Sequence, residues 1–259
     1  VDNIDVIVED DAPIPALPIA KIGDTEKSIG EKVASLIKDG DCLQLGIGSI
    51  PDAVLTFLGD KKDLGIHSEM VSDGVVDLYE KGVVTCKAKN FHKDKMVITF
   101  LMGTKKLYEF ADDNPAIEMM PVDFVNNPMI IGQNDNLVSI NAALQVDLQG
   151  QVCAEAMGLK QFSGIGGQVD FIRGAAFSKG GRAILAFPAT AKGGTISKIV
   201  PFLTEGSPVT TSRCDVDYIV TEYGIAKMKG RTLRERARQL IGLAAPQFRD
   251  DLAVEFEKR

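Results

Sequence analysis

The chain has 259 residues, 45% hydrophobic and 25% charged, with a net charge of −7. That length carries one large domain or two modest ones, and the composition is ordinary for a soluble globular protein. The acidic balance argues against general nucleic-acid binding, and no apolar run approaches the roughly 18 residues that would cross a membrane.

The first residues, Val1-Asp2-Asn3-Ile4-Asp5, carry no basic or apolar leader, so no signal peptide is read. They include no initiating Met and open inside a strand-like run, so a fragment or processed product is expected. Residues 4–8 alternate and β-branch like a strand, and residues 10–18, with Pro13, Pro15 and Pro18, form a stiff connector. Asp24 or Thr25 caps a helix in which Ile29, Val33, Leu36 and Ile37 recur at helical spacing, and Gly40 ends it. Residues 42–45 form a short strand that runs into Gly46-Ile47-Gly48-Ser49-Ile50-Pro51. The next helix turns Ala53, Val54, Phe57 and Leu58 inward, which completes an α/β unit.

Residues 66–71 are the next strand, 75–79 a short helix, 97–101 a buried strand and 104–111 a helix stopped before Asn114-Pro115. From 116 to 153 short strands alternate with turns, among them Asn126-Asn127-Pro128, residues 132–135 and Gln149-Gly150. Strands at 183–187 and 216–221 and helices at 232–243 and 248–256 complete the pattern. The expected architecture is one α/β domain with an open mixed sheet flanked by helices. Cys42, Cys86, Cys153 and Cys214 are scattered, without a CxxC pair. Packed, reduced thiols and a cytoplasmic address follow.

Three places can carry chemistry. Gly46-Ile47-Gly48 lies between a strand and a helix, where bare backbone N–H groups can face an anion. It lacks the third glycine of a dinucleotide fingerprint, so a nicotinamide cofactor is disfavoured, and a purely structural turn stays open. In the strand at 66–71, His67 and Glu69 share one face and Ser68 and Met70 the other. Glu69 then stands beside the turn Ser72-Asp73-Gly74 at the carboxyl edge of the sheet, where α/β proteins place ligands; a surface glutamate is the plain alternative.

The third place is Gly164-Ile165-Gly166-Gly167, followed by Gln168 and Asp170. This run reads as a plain loop, or as amides forming an oxyanion hole. His67 and His92 are the only histidines, so a three-histidine metal site is excluded, and no metal is expected. Between residues 151 and 200 six basic residues, Lys192 among them, stand against Glu155 and Asp170, a local +4. That is either a solvated face or a seat for a phosphorylated cofactor.

Taken in order, three motifs carry a resemblance: Leu45-Gly46-Ile47-Gly48-Ser49-Ile50-Pro51-Asp52-Ala53-Val54, His67-Ser68-Glu69-Met70, and residues 161–171. With Val209-Thr210-Thr211-Ser212-Arg213 and residues 220–226, they make the chain resemble the acetyl-CoA hydrolase/transferase family. The likeness is greatest to its 4-hydroxybutyrate and butyrate:acetate CoA-transferases. The resemblance implies a CoA-transferase-like domain over residues 1–259, equivalent to the family's C-terminal half, with residues 1–22 as an extended interdomain connector.

It implies Glu69 as the catalytic carboxylate, the loop at Gly164, Gly166 and Gly167 beside the thioester, and Gly46, Ile47, Gly48, Gln168 and Lys192 toward CoA. Its partners would be acyl-CoA and a short-chain carboxylate, the N-terminal domain of the same protein, and a further copy in a homo-oligomer. The implied reaction runs through a glutamyl-CoA thioester on Glu69. A carboxylate is already ionised at neutral pH, and the CoA thiol, near the ~8.5 of free cysteine, leaves without protonation. An acyl-CoA hydrolase, or a catalytically incomplete CoA-binding half, are the competing readings.

Overall fold

A computed structural model describes residues 4–18 and 21–258 of the chain. Residues 4–18 contain no helix or strand, and Val6, Ile7 and Val8 are exposed. The strand expected at 4–8 is therefore not formed: β-branching alone makes no strand without a partner for its backbone groups. Of the connector expected over 1–22, residues 1–3 and 19–20 lie outside the described residues. Near its end Leu17 N–H donates to the Gly103 carbonyl at 2.9 Å and the Tyr108 hydroxyl donates to the Pro15 carbonyl at 3.0 Å.

Helix α1 (Asp24–Ala34) begins after Gly23, one residue before the expected cap. The Glu26 carboxylate reaches back to accept the Gly23 N–H at 3.0 Å, which satisfies a donor the helix cannot. Strand β1 (Cys42–Leu45), α2 (Ser49–Thr56), β2 (Gly65–Val71), α3 (Asp73–Glu80), β3 (Met96–Leu101) and α4 (Lys105–Ala111) follow close to expectation. Phe57 differs: the helix has ended, and its ring is 40% exposed while Ile50 and Leu55 turn inward.

The stretch from 116 to 153 is less strand-rich than its turns suggest. After β4 (Ile117–Met119) come two one-turn helices, α5 (Val122–Val125) and α6 (Pro128–Ile131), before β5 (Leu137–Asn141). Asn127 accepts the Met129 N–H and Pro128 opens α6, so Asn-Asn-Pro is a helix start as well as a turn. Four short strands follow, β6 (Gln145–Asp147), β7 (Val152–Cys153), β8 (Ala156–Met157) and β9 (Lys160–Gln161). Then comes α7 (Gln168–Phe177), over the first part of which the glycine run had suggested only loop. The chain continues through β10 (Arg182–Ala186), β11 (Thr190–Ala191), β12 (Ile196–Ser197), β13 (Ile199–Val200), β14 (Tyr218–Thr221) and β15 (Gly224–Lys227). It closes with α8 (Leu233–Leu243), begun by a Thr232–Glu235 capping box, and α9 (Pro246–Glu257).

Eight strands form one sheet in the order β15-β14-β10-β5-β1-β2-β3-β4. Neighbours are parallel throughout, except that β15 pairs antiparallel with β14. The open mixed sheet flanked by helices is therefore what the chain forms. Two apolar layers cover it. One joins Ile29, Val54, Leu55, Val75 and Leu107 to one face, and the other joins Val125, Ile131, Phe171, Leu240 and Leu252 to the opposite face. With both faces buried, the strands read as continuous apolar runs.

From β1 the chain steps outward through β2, β3 and β4, then returns to lay β5 on the other side of β1. Strand order reverses there, and the loops beyond the carboxyl ends diverge, which is where open α/β sheets take ligands. A buried polar network marks this junction. The Ser139 hydroxyl and the Asn141 amide both donate to the Gln44 side-chain oxygen, at 2.8 and 2.9 Å.

Candidate active site

Strand β2 sets the site by simple alternation. His67 and Glu69 face the layer that holds α5 and α7, and Ile66 faces the other. His67 is fully buried, and its Nε2 lies 3.0 Å from the Val125 carbonyl. Because that partner can only accept, Nε2 carries the hydrogen. Its Nδ1 has no partner among the described residues, and its ring meets Phe171 edge-on at 6.2 Å. Burial pushes its pKa down to about 4, against the pull of the Val125 hydrogen bond, so it stands neutral as a strut between β2 and α5.

Two residues on, the strand has reached the carboxyl edge and Glu69 is half-buried. Past Leu43 and Ile66 the β1–β2 ladder gives way to Ser68, whose hydroxyl donates to the Leu45 carbonyl at 3.1 Å. Among the described residues neither Glu69 oxygen has a hydrogen bond or ion pair. Glu69 lines a broad open cleft of about 540 Å³ with Asp123, Asn126, Ile165, Gly166 and Asp170.

Gly167 explains why bare backbone is needed here. Its φ of −85° suits any residue, but a Cβ would lie 2.5 Å from both Glu69 Oε2 and Asn126 Nδ2. The position is glycine for space. Gly167 also precedes α7, so the unpaired N–H groups and positive end of that helix lie beside Glu69. Helix α7 packs close on α6 because Gly174 leaves room for the Ile131 side chain. Asp170 sits in the first turn of α7; burial first and the charge of Glu69 second raise its pKa, with Arg173 opposing.

Of the residues singled out from sequence, the structure brings Glu69, Gly166 and Gly167 together. Gly164 is exposed, with open space around it. Gly46, Ile47 and Gly48 follow β1, and Ile47 and Gly48 line a separate cavity of about 270 Å³ with Leu17, Asp52, Ser72 and Gly74. Burial raises the Asp52 pKa there, opposed by its hydrogen bond from Ser72. Gln168 donates to the Thr211 hydroxyl at 3.0 Å. Lys192 lines a third cavity, beside Glu26 and Glu222.

The basic residues behind the local +4 have separate partners: Arg182 pairs with Asp41, Arg173 with Asp215, and Lys160 lies over the Phe162 ring.

Asn126 and Asp123, which frame the cleft, were not singled out for chemistry, because only the packing of α5 against β2 brings them to Glu69. Lys198 was counted only as charge. Its ammonium donates to the Ala143 carbonyl at 2.8 Å beside the Phe187 ring, between the ends of β5 and β10. Burial lowers its pKa to about 8, with Glu222 opposing.

A family model described as the acetyl-CoA hydrolase/transferase C-terminal domain matches residues 103–256. The chain is 61% identical to 4-hydroxybutyrate coenzyme A transferase of Clostridium kluyveri, covering 100% of this chain and 60% of that protein. It is 52% identical to succinyl-CoA:cyclohexane-1-carboxylate CoA transferase of Geobacter metallireducens, covering 97% of this chain and 58% of that protein. The crystal structure of RipA from Yersinia pestis superimposes with a TM-score of 0.93 at 47% identity, over 99% of this chain and 58% of that one. The chain thus spans about three fifths of the length of the relatives it matches.

Proposed function

The chain belongs to the acetyl-CoA hydrolase/transferase family, and on that footing we propose that it carries the nucleophile of a CoA-transferase, Glu69. The reading rests on one observation above the others: a half-buried carboxylate with no hydrogen bond or ion pair among the described residues, held at the carboxyl end of β2 against Gly167 and the start of α7. Glu69 attacks the acyl-CoA carbonyl, and the C–S bond breaks to give a mixed anhydride and CoA thiolate. The thiolate attacks the glutamyl carbonyl, the anhydride C–O bond breaks, and the first acid leaves as its carboxylate. The acceptor acid then runs the same steps backwards.

No general base or acid is required, since carboxylates are ordinarily ionised at neutral pH and a thiolate is a weak enough base to leave without protonation. Developing negative charge on the carbonyl oxygen needs donors in place, and the first N–H groups of α7 with the Asn126 amide are the nearest candidates. The substrates proposed are CoA thioesters of short-chain acids, 4-hydroxybutyrate or butyrate exchanging with acetate. 4-Hydroxybutyrate follows the name of the 61% identical relative, and butyrate with acetate the names of relatives at 41% and 42% identity. The remaining two fifths of such a protein would supply the N-terminal domain, and we expect a homo-oligomer. Three of four cysteines are buried free thiols, which fits a cytoplasmic setting.

In the full-length protein that carries this chain, Glu69→Gln should lower exchange by roughly 10³-fold or more, as loss of a covalent nucleophile does. Exchange retained by Glu69→Gln would refute the reading. Thioester loss that proceeds equally well without an acceptor acid would assign the site to hydrolysis instead.

A further inference from the structure

A second carboxylate shares the cleft with Glu69 and has no role in the steps above. Asp170 lies three residues after Gly167, on the same side of α7, and Gly167 is the residue against Glu69 Oε2. Among the described residues the Asp170 carboxylate has no hydrogen bond or ion pair. Arg173, the nearest cation on its helix, is turned to Asp215, with Nη2 at 3.3 Å from the carboxylate. From α5 the cleft receives Asp123, a third acid, and from β2 the neutral His67 lies beneath. No Lys or Arg is among the described residues that line it.

We infer that Asp170 is a positioning residue for the exchange, one whose charge biases the enzyme toward the covalent CoA thioester of Glu69. The inference rests on Glu69 being the nucleophile. Charge accounting supplies the reason. In the free enzyme the Glu69 carboxylate shares the cleft with that of Asp170, whereas in the thioester form Glu69 is neutral, because its negative charge has left with the released acid. Each turnover that acylates Glu69 therefore relieves a like-charge repulsion, and the relief favours the intermediate. The positive end of α7 works the other way, holding the free Glu69 anion in place, and Asp170 near that end offsets it. Burial and Glu69 together raise the Asp170 pKa, as facing acids require.

The test uses the full-length protein at a fixed ratio of acyl-CoA to free acid, quenched in acid. Intact mass then gives the ratio of CoA-bearing to unmodified enzyme across a pH series. D170N and D170S, two neutral variants that guard against loss of fold, should lower that ratio about three- to tenfold at neutral pH, as removing one like charge does in a partly solvated site. D170E should stay within about twofold of wild type, since it keeps the charge. The wild-type advantage should grow with pH through the acid range where Asp170 ionises and level off above it. A purely structural Asp170 would leave that pH dependence unmoved. Equal adduct ratios in wild type and both neutral variants at every pH would overturn the inference alone. Wild type that forms no adduct on Glu69 would overturn the nucleophile and this inference with it.

Discussion

At the scale of single residues, the glycine run separates into members that matter for different reasons. In the sequence Gly164, Gly166 and Gly167 look like one loop beside the thioester. Of the three only Gly167 lies against Glu69, where a Cβ would fall 2.5 Å from both that carboxylate and the Asn126 amide. Both atoms that a Cβ would meet are tips of flexible side chains, so they would move and the fold would hold. Gly167→Ala should therefore lower turnover about 100-fold by displacing the nucleophile, with thermal stability near wild type. Gly164→Ala, facing open space, should behave like wild type in the same assay. Similar losses in both variants would show that loop flexibility, not the space beside Glu69, is what the site needs. Glu69 itself was legible because strand alternation and the following glycine turn fix its place. Asn126 was not, because its partner is distant in sequence and only helix packing joins them.

At the scale of elements, the strands and the longer helices were legible from period and caps, whereas α5, α6 and the start of α7 were not. One-turn helices carry too few residues to show a period, and Gly164 to Gly167 hid a helix that begins at Gln168. One link between α5 and β2 is a buried hydrogen bond from His67 to the Val125 carbonyl. Its sign with pH is fixed. The unfolded chain takes up a proton on His67 near its ordinary value of 6.5, while the folded chain resists until about 4. Between those values the unfolded state binds more protons, so stability falls as pH drops from about 6.5 to about 4. His67→Gln should remove on the order of 3 kcal/mol of that acid sensitivity, read from urea unfolding at the two ends of the window. An unchanged pH dependence in the variant would place the acid-labile contact elsewhere.

At the scale of the whole molecule, the fold class follows from strands alternating with helices, and the parallel strands β1 and β2 put the loops after them, with Gly46 to Gly48 and Ser72 to Gly74, at the same carboxyl edge of the sheet. Residue order along the chain told less about that edge. Ile47 and Gly48 line one cavity, Glu69 a second and Lys192 a third, so motifs that read as one site are distributed along a rim. The proposed mechanism requires Glu69 to become covalently attached to CoA. Full-length protein incubated with acyl-CoA, reduced with borohydride and digested tests it directly. The account predicts reduction of the Glu69 side chain, confined to its peptide and dependent on acyl-CoA. Reduction at another residue, or sustained exchange with Glu69 unmodified, would contradict it.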